Sequence, residues 1–291
     1  MSEYVIITDS SCDLSEKKVN ELGIISIPLQ FEIEGVSYQN HLDERDIKNK
    51  DYYSKLRKGA MSSTSQVNPA EFEELFEEVL KEGKDVLYIG FSSGLSGTFH
   101  SSTVAREELI SKYPNRKLIC VDTLAASLGE GLIVSLACKL KEEGKSIDEV
   151  ANWVDENKLN IAHWFTVSDL NFLKRGGRVS ATSAFLGTML NVQPILHMDD
   201  NGKLIPMQKV RGRNTSIKTL AKNITETMLK DKCNAIFISH GDCEEDAITL
   251  SKLLKESIDF EIDIYINMIG PVIGGHAGPG TLAVFAYCTN R

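Results

Sequence analysis

The sequence predicts an α/β protein with an N-terminal, mostly parallel α/β/α sheet domain followed by a C-terminal α+β domain. In the first half, short apolar runs alternate with helical segments, which is typical of a parallel sheet covered by helices. From about Ile161, hairpin patterns mix with helices instead. Because 291 residues exceed one average domain, we expect two closely packed domains, residues 1–160 and 161–291.

The first strand is predicted at Tyr4–Thr8. Asp13 is predicted to cap the helix that follows, with Glu16 completing a capping box and Gly23 ending the helix. Next come extended segments at 24–33 and 36–38, a helix over 43–59, a hydroxyl-rich loop at 61–67, and a helix opened by Asn68 and Pro69.

The centre of the first half is the stretch from Val86 to Ser102. A buried strand at Val86–Ile89 ends in a loop of serines and glycines, and a helix is predicted from Thr98 to Lys112. A helix N-terminus presents unpaired backbone N–H groups, which together with nearby hydroxyls suit a negatively charged oxygen. We therefore expect this loop to hold a carboxylate; an ordinary strand-to-helix turn with a serine cap is the alternative.

Polar side chains fall at the carboxyl ends of the predicted parallel strands, where ligands bind in such sheets. These are Asp9, Ser93, Ser96 and Asp122.

The rest of the first half is predicted to contain a strand at 117–121 and helices at 127–143 and 146–156. The second half is predicted to begin with a strand at 160–167, a helix at 169–173, a basic corner at 174–178, a nearly uncharged helix at 181–191 and a hairpin of 194–198 and 204–210. It continues with a helix capped by Asn214, a strand at 235–239, a helix at 244–256, and strands at 260–268 and 282–287.

Composition excludes several classes of function. The formal net charge of −9, without a compensating Lys/Arg stripe, argues against a nucleic-acid-binding protein. The six cysteines form no CxxC pair, so we expect neither a zinc site nor a disulfide framework, and a reducing cytoplasm fits. Because no basic-then-apolar stretch precedes the first predicted strand and no apolar run approaches the length of a bilayer, we expect neither a leader nor a membrane-spanning segment. A transient contact with a membrane surface stays open.

Several motifs, in order along the chain, resemble those of the DegV family. They cover the whole sequence, and their joint order is far more specific than any single motif. One departure is Val67, where many relatives place a proline directly after the glutamine. The motifs are ITDSSCDL at 7–14, TSQ at 64–66, SSGLSGT at 92–98, LKRGGR at 173–178, VR at 210–211 and GHAGPG at 275–280.

The resemblance implies a two-domain fatty-acid-binding protein without catalytic residues, metal or cofactor, whose ligand is a long-chain fatty acid. It implies that the bound carboxylate is presented to a separate fatty acid kinase catalytic subunit, which makes acyl phosphate for phospholipid synthesis. Thr64 and Ser96 would donate hydrogen bonds to the carboxylate, and His276 would donate from the opposite side. Ser65, Ser93 and the Gly97 N–H would lie nearby.

The resemblance further implies a role for Arg178 and Arg211 near the mouth of the site, steadying phosphate charge or docking the kinase. Simpler interpretations stay open for several of these residues. His276 could be a structural histidine in a glycine turn, and Arg178 could cap a helix C-terminus. The helix containing 185–190 could be core, acyl-tunnel wall or both, and Asp9, Asp122 and Asp242 could be helix caps.

A serine esterase is the main alternative. The sequence GFSSG at 90–94 matches G-x-S-x-G, and Ser92, Asp242 and His276 follow the chain order of an α/β-hydrolase triad. Against it, a nucleophile elbow should enter its helix at once, whereas residues 94–97 prolong the loop. Phosphoryl transfer by this chain itself is disfavoured because GxxxxGK[ST] is missing.

Overall fold

The computed structural model describes residues 3–179 and 191–291. Its strands are β1 (Tyr4–Asp9), β2 (Ile25–Ile27), β3 (Gln30–Ile33), β4 (Val36–Gln39), β5 (Ser62–Ser65), β6 (Asp85–Gly90), β7 (Leu118–Asp122), β8 (Ile161–Thr166), β9 (Val192–Met198), β10 (Leu204–Arg211), β11 (Ala235–His240), β12 (Asp263–Met268) and β13 (Leu282–Tyr287). Its α-helices are α1 (Glu16–Leu22), α2 (Asn49–Arg57), α3 (Pro69–Lys81), α4 (Thr98–Lys112), α5 (Leu128–Glu142), α6 (Ile147–Asn157), α7 (Asn171–Arg175), α8 (Arg213–Thr227), α9 (Glu244–Ser257) and α10 (Pro271–Ala277).

The first half is built on a parallel sheet with strand order β2–β1–β6–β7. Alternate residues of its central strands enter different cores, as the period of a strand requires. Leu87 and Ile89 pack towards α5 and α6, whereas Val86 and Tyr88 pack with α3 and α4. A small antiparallel sheet, β4–β3–β5, adjoins this half. The predicted parallel α/β arrangement is confirmed.

The second half is built on a mixed sheet with order β10–β9–β8–β13–β11–β12. Most of its pairs are antiparallel, and β11 and β12 are parallel. Helices α8 and α9 pack against this sheet, and α5 from the first half packs against β8, β11 and β13. Helix α5 also contacts the first sheet, since Thr8 Oγ1 on β1 donates to Glu130 Oε1 at 2.9 Å, so it lies between the two large sheets. One buried cluster, which includes Leu87, Leu132 and Val284, continues from the first half into the second.

Most of the helix starts predicted from the sequence are confirmed. Asn68 with Glu71 and Ser146 with Glu149 both form complete capping boxes, and Gly23 ends α1 in the left-handed conformation at φ 60°. The predicted box at Asp13 is wrong. Asp13 has φ 52° at the end of a 3-10 turn, and the Ser15 side chain caps α1 instead by accepting from the Lys18 N–H.

Other predicted elements change type or length. The hydroxyl-rich loop contains β5, because β3 offers it an open edge to pair with. The predicted helix over 43–59 shortens to α2, and Glu44 has a positive φ of 56° that a helix cannot contain. Asn214 lies inside α8, whose cap position is Gly212, and the glycine-rich segment before β13 contains α10. The predicted helix at 181–191 lies outside the described residues, except for Asn191.

Within residues 3–179 and 191–291, no helix has both the length and the apolar content to cross a bilayer.

Candidate functional site

A cavity of about 210 Å³ lies between the two halves of the chain. One face of the six-stranded sheet forms its floor, because its strands present alternate residues on the same side. Most of the rest of the wall comes from the β6–α4 loop, the segment before α5, the end of β5, α7 with the basic corner after it, and α10. The floor residues are His163, Phe165, Met198, Leu204, Ser239, Ala283 and Phe285.

Polar side chains gather at one end of this cavity, which we call the polar end. Thr64 Oγ1 and His276 Nε2 lie 2.8 Å apart and share a hydrogen bond. The Arg178 Nε–H donates to the Leu95 carbonyl at 3.2 Å, which joins the basic corner to the β6–α4 loop. The polar end consists of Thr64, Ser65, Gln66, Ser96, Gly97, Arg178 and His276.

The position of His276 depends on two glycine-containing segments. Helix α10 begins with Gly270 and Pro271, where the fixed φ of proline suits the first helical turn, and its last turn carries His276. The imidazole lies so close to Gly176 that a Cβ built there would be 2.2 Å from His276 Nδ1. Gly176 is therefore needed as glycine because the histidine ring occupies the place of a side chain.

His276 is neutral near pH 7. Burial and, to a lesser extent, the nearby Arg178 guanidinium together lower its pKa to about 4. A neutral imidazole carries one N–H, so either Thr64 or His276 can donate in their shared hydrogen bond. The pair can therefore rearrange its protons to offer a donor to an oxygen placed beside it.

The β6–α4 loop is held in place by its own hydroxyls. Ser96 Oγ accepts from the Thr98 N–H at 3.2 Å and lies 2.9 Å from Thr98 Oγ1, so Ser96 supplies the cap that Gly97 lacks. A Cβ on Gly97 would be 2.1 Å from Gln66 Oε1, so a side chain there would require the Gln66 amide to move away. Gln66 also donates to Ser101 Oγ at 3.1 Å, which ties the end of β5 to α4.

Arg178 lines the cavity and is half-buried. Burial lowers the pKa of its guanidinium, which nevertheless stays charged at neutral pH. It donates to the Gly176 carbonyl at the end of α7 as well as to Leu95, so the capping role predicted as an alternative coexists with a place in the cavity wall. Among the described lining residues, Arg178 is the only lysine or arginine.

Two predicted site residues are not brought to the cavity. Ser93 is exposed, and its N–H donates to Asp122 Oδ1 at 3.2 Å, because Asp122 terminates β7 and caps the turn beside it. Arg211 is exposed at the end of β10, in register with Val192, and does not line the cavity.

The catalytic triad of the serine esterase alternative is not assembled. Ser92 Oγ is buried and donates to the Gly202 carbonyl at 2.8 Å, Asp242 forms an ion pair with Arg57, and His276 pairs with Thr64. Neither Ser92 nor Asp242 lines the cavity that His276 lines. Because each residue is committed to a different partner, the three lack the nucleophile–base–acid chain that an esterase requires.

Five polar residues of the cavity wall were not predicted from the sequence: Gln66, Ser127, His163, Ser239 and Thr281. Gln66 belongs to the TSQ motif, so its neighbours pointed to it. His163 and Ser239 could have been found only by knowing which face of β8 and β11 is turned inward. Ser127 has an unusual φ of 55°, and its hydroxyl bridges Asp13 and Ser239.

Buried carboxyls lie behind the cavity. Asp9 accepts hydrogen bonds from the Tyr88 hydroxyl at 2.7 Å and from the N–H groups of Phe91 and Ser11, so its capping role is one of several. Burial raises the pKa of Asp9, of Asp13 to about 7, and of Glu130 well above its ordinary value. In the part of the chain that the structure describes, no group of three or more His, Cys, Asp or Glu could hold a metal ion.

The sequence and the fold both match known proteins. A sequence model described as "Uncharacterised protein, DegV family" matches residues 3–289. A DegV domain-containing protein of Clostridium perfringens is 46% identical over 285 residues, which cover 98% of this chain and 97% of that protein.

Two solved structures share the fold at a similar level. A DegV family protein from Thermus thermophilus, described by its fatty acid binding, has a TM-score of 0.87 and 32% identity, with 99% of this chain and 100% of that chain covered. A fatty acid binding DegV family protein from Streptococcus agalactiae has a TM-score of 0.86 and 29% identity, with both chains fully covered. Because the family match extends along nearly the whole chain, this protein belongs to the DegV family.

Proposed function

We propose that this protein binds a long-chain fatty acid in the cavity and presents its carboxylate at the polar end to a separate kinase subunit. The observation that carries the proposal is the chemistry of the cavity: apolar side chains form most of its wall, and the hydroxyls of Thr64 and Ser96, the His276 imidazole and the Arg178 guanidinium lie at one end. Ser127, His163 and Ser239 are polar residues of the wall outside that end. The cavity volume of about 210 Å³ exceeds the roughly 150 Å³ of an engineered apolar cavity that binds benzene. Relatives from Thermus thermophilus and Streptococcus agalactiae are described as binding fatty acids.

The tail supplies most of the affinity. Each buried methylene contributes roughly 0.8 kcal/mol, so a long acyl chain contributes on the order of a dozen kcal/mol before the costs of binding. A hydrogen bond to the charged head contributes about 1.5 to 3 kcal/mol. The polar end therefore acts mainly by fixing where the carboxylate lies.

The polar end offers several donors to a carboxylate. The hydroxyls of Thr64 and Ser96 and the imidazole of His276 are the proposed direct donors, with Ser65 and the Gly97 N–H beside them. When Thr98 donates to Ser96 Oγ, the Ser96 proton is free to reach a ligand oxygen. Ser65 and Gln66 are exposed while lining the cavity, so this end communicates with the surface, where a second protein can reach the carboxylate.

We propose that Arg178 stabilises negative charge on the carboxylate or on an incoming phosphoryl group. It lines the cavity, and its positive charge is close enough to His276 to lower the pKa of that imidazole. Arg211, exposed and away from the cavity, is assigned to docking of the kinase catalytic subunit. The protein itself is proposed to need no metal and no cofactor. All six cysteines are unpaired, which supports a reducing cytoplasm as the compartment of this reaction.

The test separates binding from presentation. Ligand extracted from freshly purified protein is identified by mass spectrometry, and binding of oleate to delipidated protein is titrated. The protein is then incubated with ATP and a purified fatty acid kinase catalytic subunit, and acyl phosphate is trapped with hydroxylamine. We expect binding by the protein alone and acyl phosphate only with both proteins. Acyl phosphate formed without the second protein, or no fatty acid binding, would contradict the proposal.

A further inference from the structure

The cavity wall follows two neighbouring strands away from the polar end. Thr281, Ala283 and Phe285 line it in succession, since alternate residues of β13 face the same side. Thr281 comes just after α10, the helix that carries His276, so Phe285 lies farther from the polar end by four residues of strand, about 13 Å. On β8, Phe165 pairs with Ala283 and His163 pairs with Phe285.

The wall stops at the pair formed by His163 and Phe285. The next pair on this face of the sheet, Ile161 with Tyr287, is buried but does not line the cavity. The rings of His163 and Phe285 meet edge to face, with centroids 5.1 Å apart and an interplanar angle of 88°. Two rings in direct contact across paired strands thus close the cavity.

The histidine ring of this pair is fixed from three sides. His163 Nδ1 lies 2.8 Å from the Ile161 carbonyl, which can only accept, so Nδ1 carries the proton and Nε2 accepts from the Ala126 N–H at 3.4 Å. A Cβ on Gly129 in α5 would lie 2.2 Å from Nε2. Helix α5 therefore sets how far the imidazole extends into the cavity.

We propose that His163 and Phe285 form the closed end of the acyl cavity and set the greatest chain length it accepts, with Gly129 fixing the depth of the imidazole. The inference rests on the proposed function and deepens it, because it names the residues that select among fatty acids. Removing the Phe285 ring lengthens the cavity. Adding a methyl group at Gly129 pushes the imidazole inward and shortens it.

The test is a competition among saturated, unbranched fatty acids from lauric to arachidic acid. Delipidated protein is mixed with equal amounts of each, and the bound acids are quantified by native mass spectrometry. For Phe285→Ala and the milder Phe285→Leu we expect the preferred length to increase by at least one two-carbon step. Because the longer acid buries two more methylenes, its affinity relative to that of the originally preferred acid should rise by roughly tenfold. For Gly129→Ala we expect a shift to shorter acids.

The matched control is Phe237→Ala. Phe237 is the register partner of Phe285 on β11, is buried and packs against Tyr265, but does not line the cavity. The Phe237→Ala variant should bind fatty acids with the same distribution of chain lengths as the wild type. An unchanged profile in Phe285→Leu and Gly129→Ala, or an equal shift in Phe237→Ala, would overturn the length assignment while leaving fatty acid binding intact. A wild type that binds none of the acids would instead reject the proposed function itself.

Discussion

The hydroxyl of Thr64 and the imidazole of His276 act together at the polar end. Their 2.8 Å hydrogen bond joins β5 of the first half to α10 of the second, so neither side chain is positioned alone. The pKa of His276, lowered to about 4 by burial and by Arg178, keeps the imidazole neutral near pH 7. A bound carboxylate would then meet donors of modest strength plus one fixed positive charge.

Replacing Thr64 tests this pair directly. Thr64→Ala removes one donor to the charged head, so we expect fatty acid affinity to fall by about 1.5 kcal/mol, roughly tenfold. The position of the carboxylate affects its reaction with a phosphoryl group more than it affects binding. We therefore expect acyl phosphate formation with the kinase to fall by more than the tenfold loss of affinity. Ser63→Ala, exposed on the same strand, is the control and should change neither. Normal turnover in Thr64→Ala would place the carboxylate elsewhere.

Asp13 is a second residue whose chemistry is set by its surroundings. It is fully buried and accepts hydrogen bonds from Ser127 Oγ and from the Gly270 N–H at 2.9 Å. Asn267 donates to its backbone carbonyl at 2.7 Å. Burial raises its pKa to about 7, outweighing these hydrogen bonds to its carboxylate. Asp13 thus links three segments through a carboxyl that holds its proton unusually tightly.

The raised pKa of Asp13 predicts a pH dependence of stability. The folded state binds the proton more tightly than the unfolded chain, so this contribution is complete below pH about 4 and is lost as the pH rises to about 7. Relative to Asp13→Asn, the wild type should lose on the order of 4 kcal/mol of unfolding free energy over that range. Urea denaturation of both proteins at several pH values measures it. A difference independent of pH would contradict the prediction.

At the scale of elements, the polar end is an assembly of helix ends and tight turns. The N-terminus of α4, the C-terminus of α7 and the last turn of α10 meet there, and glycines allow their close approach. Gly176 has an ordinary helical φ of −71°, so alanine suits its backbone and only the His276 ring opposes it. Replacing Gly176 by alanine therefore tests the packing of α7 against α10 separately from any strain in the backbone.

Gly176→Ala should displace the His276 imidazole and weaken fatty acid binding by roughly tenfold, the worth of about one hydrogen bond to the charged head. The melting temperature should change little, because the helix end tolerates alanine. In a His276→Ala background the same change should have no further effect, since no ring remains to be displaced. Binding titrations on the four proteins of this cycle measure the coupling. Additive losses would show that Gly176 acts independently of His276.

At the scale of the whole molecule, the cavity joins the two halves. Helix α5 packs against the six-stranded sheet, and its Glu130 accepts a hydrogen bond from Thr8 on β1. The cavity wall takes residues from the first half and from the second. We propose residue 160 as the division between two domains, because within the described residues each sheet draws its strands from one side of it. A ligand in the cavity would therefore stabilise both halves at once.

Delipidated protein should unfold in a single transition whose midpoint rises with added oleate. Free ligand at about one hundred times Kd should add about 2.7 kcal/mol of stability. Hydrogen exchange should slow in β5 and α10 and also in β8 and β13. Methyl oleate, which lacks the charged head, is the control and should protect β8 and β13 more than β5 and α10. Protection confined to one half in the presence of oleate would contradict a shared cavity.

Local signals determined much of the fold from the sequence alone. The helix starts at Asn68 and Ser146, the helical period of α3 and the apolar runs of β6 and β13 depend on neighbours in the chain, so their positions were predictable. The DegV motifs also pointed to Thr64, Ser96 and His276, which the structure brings to one cavity. Ser93 and Arg211 share those motifs and yet lie away from it.

Only the tertiary structure decided which side chains face the cavity. Asp13 looked like a helix cap because its local sequence fits one, but contacts with Ser127 and Gly270, distant in sequence, decide its role. His163 became the end wall because strand register places it opposite Phe285 and beside Gly129. Sequence spacing fixes which residues share a face of a strand or helix, whereas the packing of separate elements decides what that face meets.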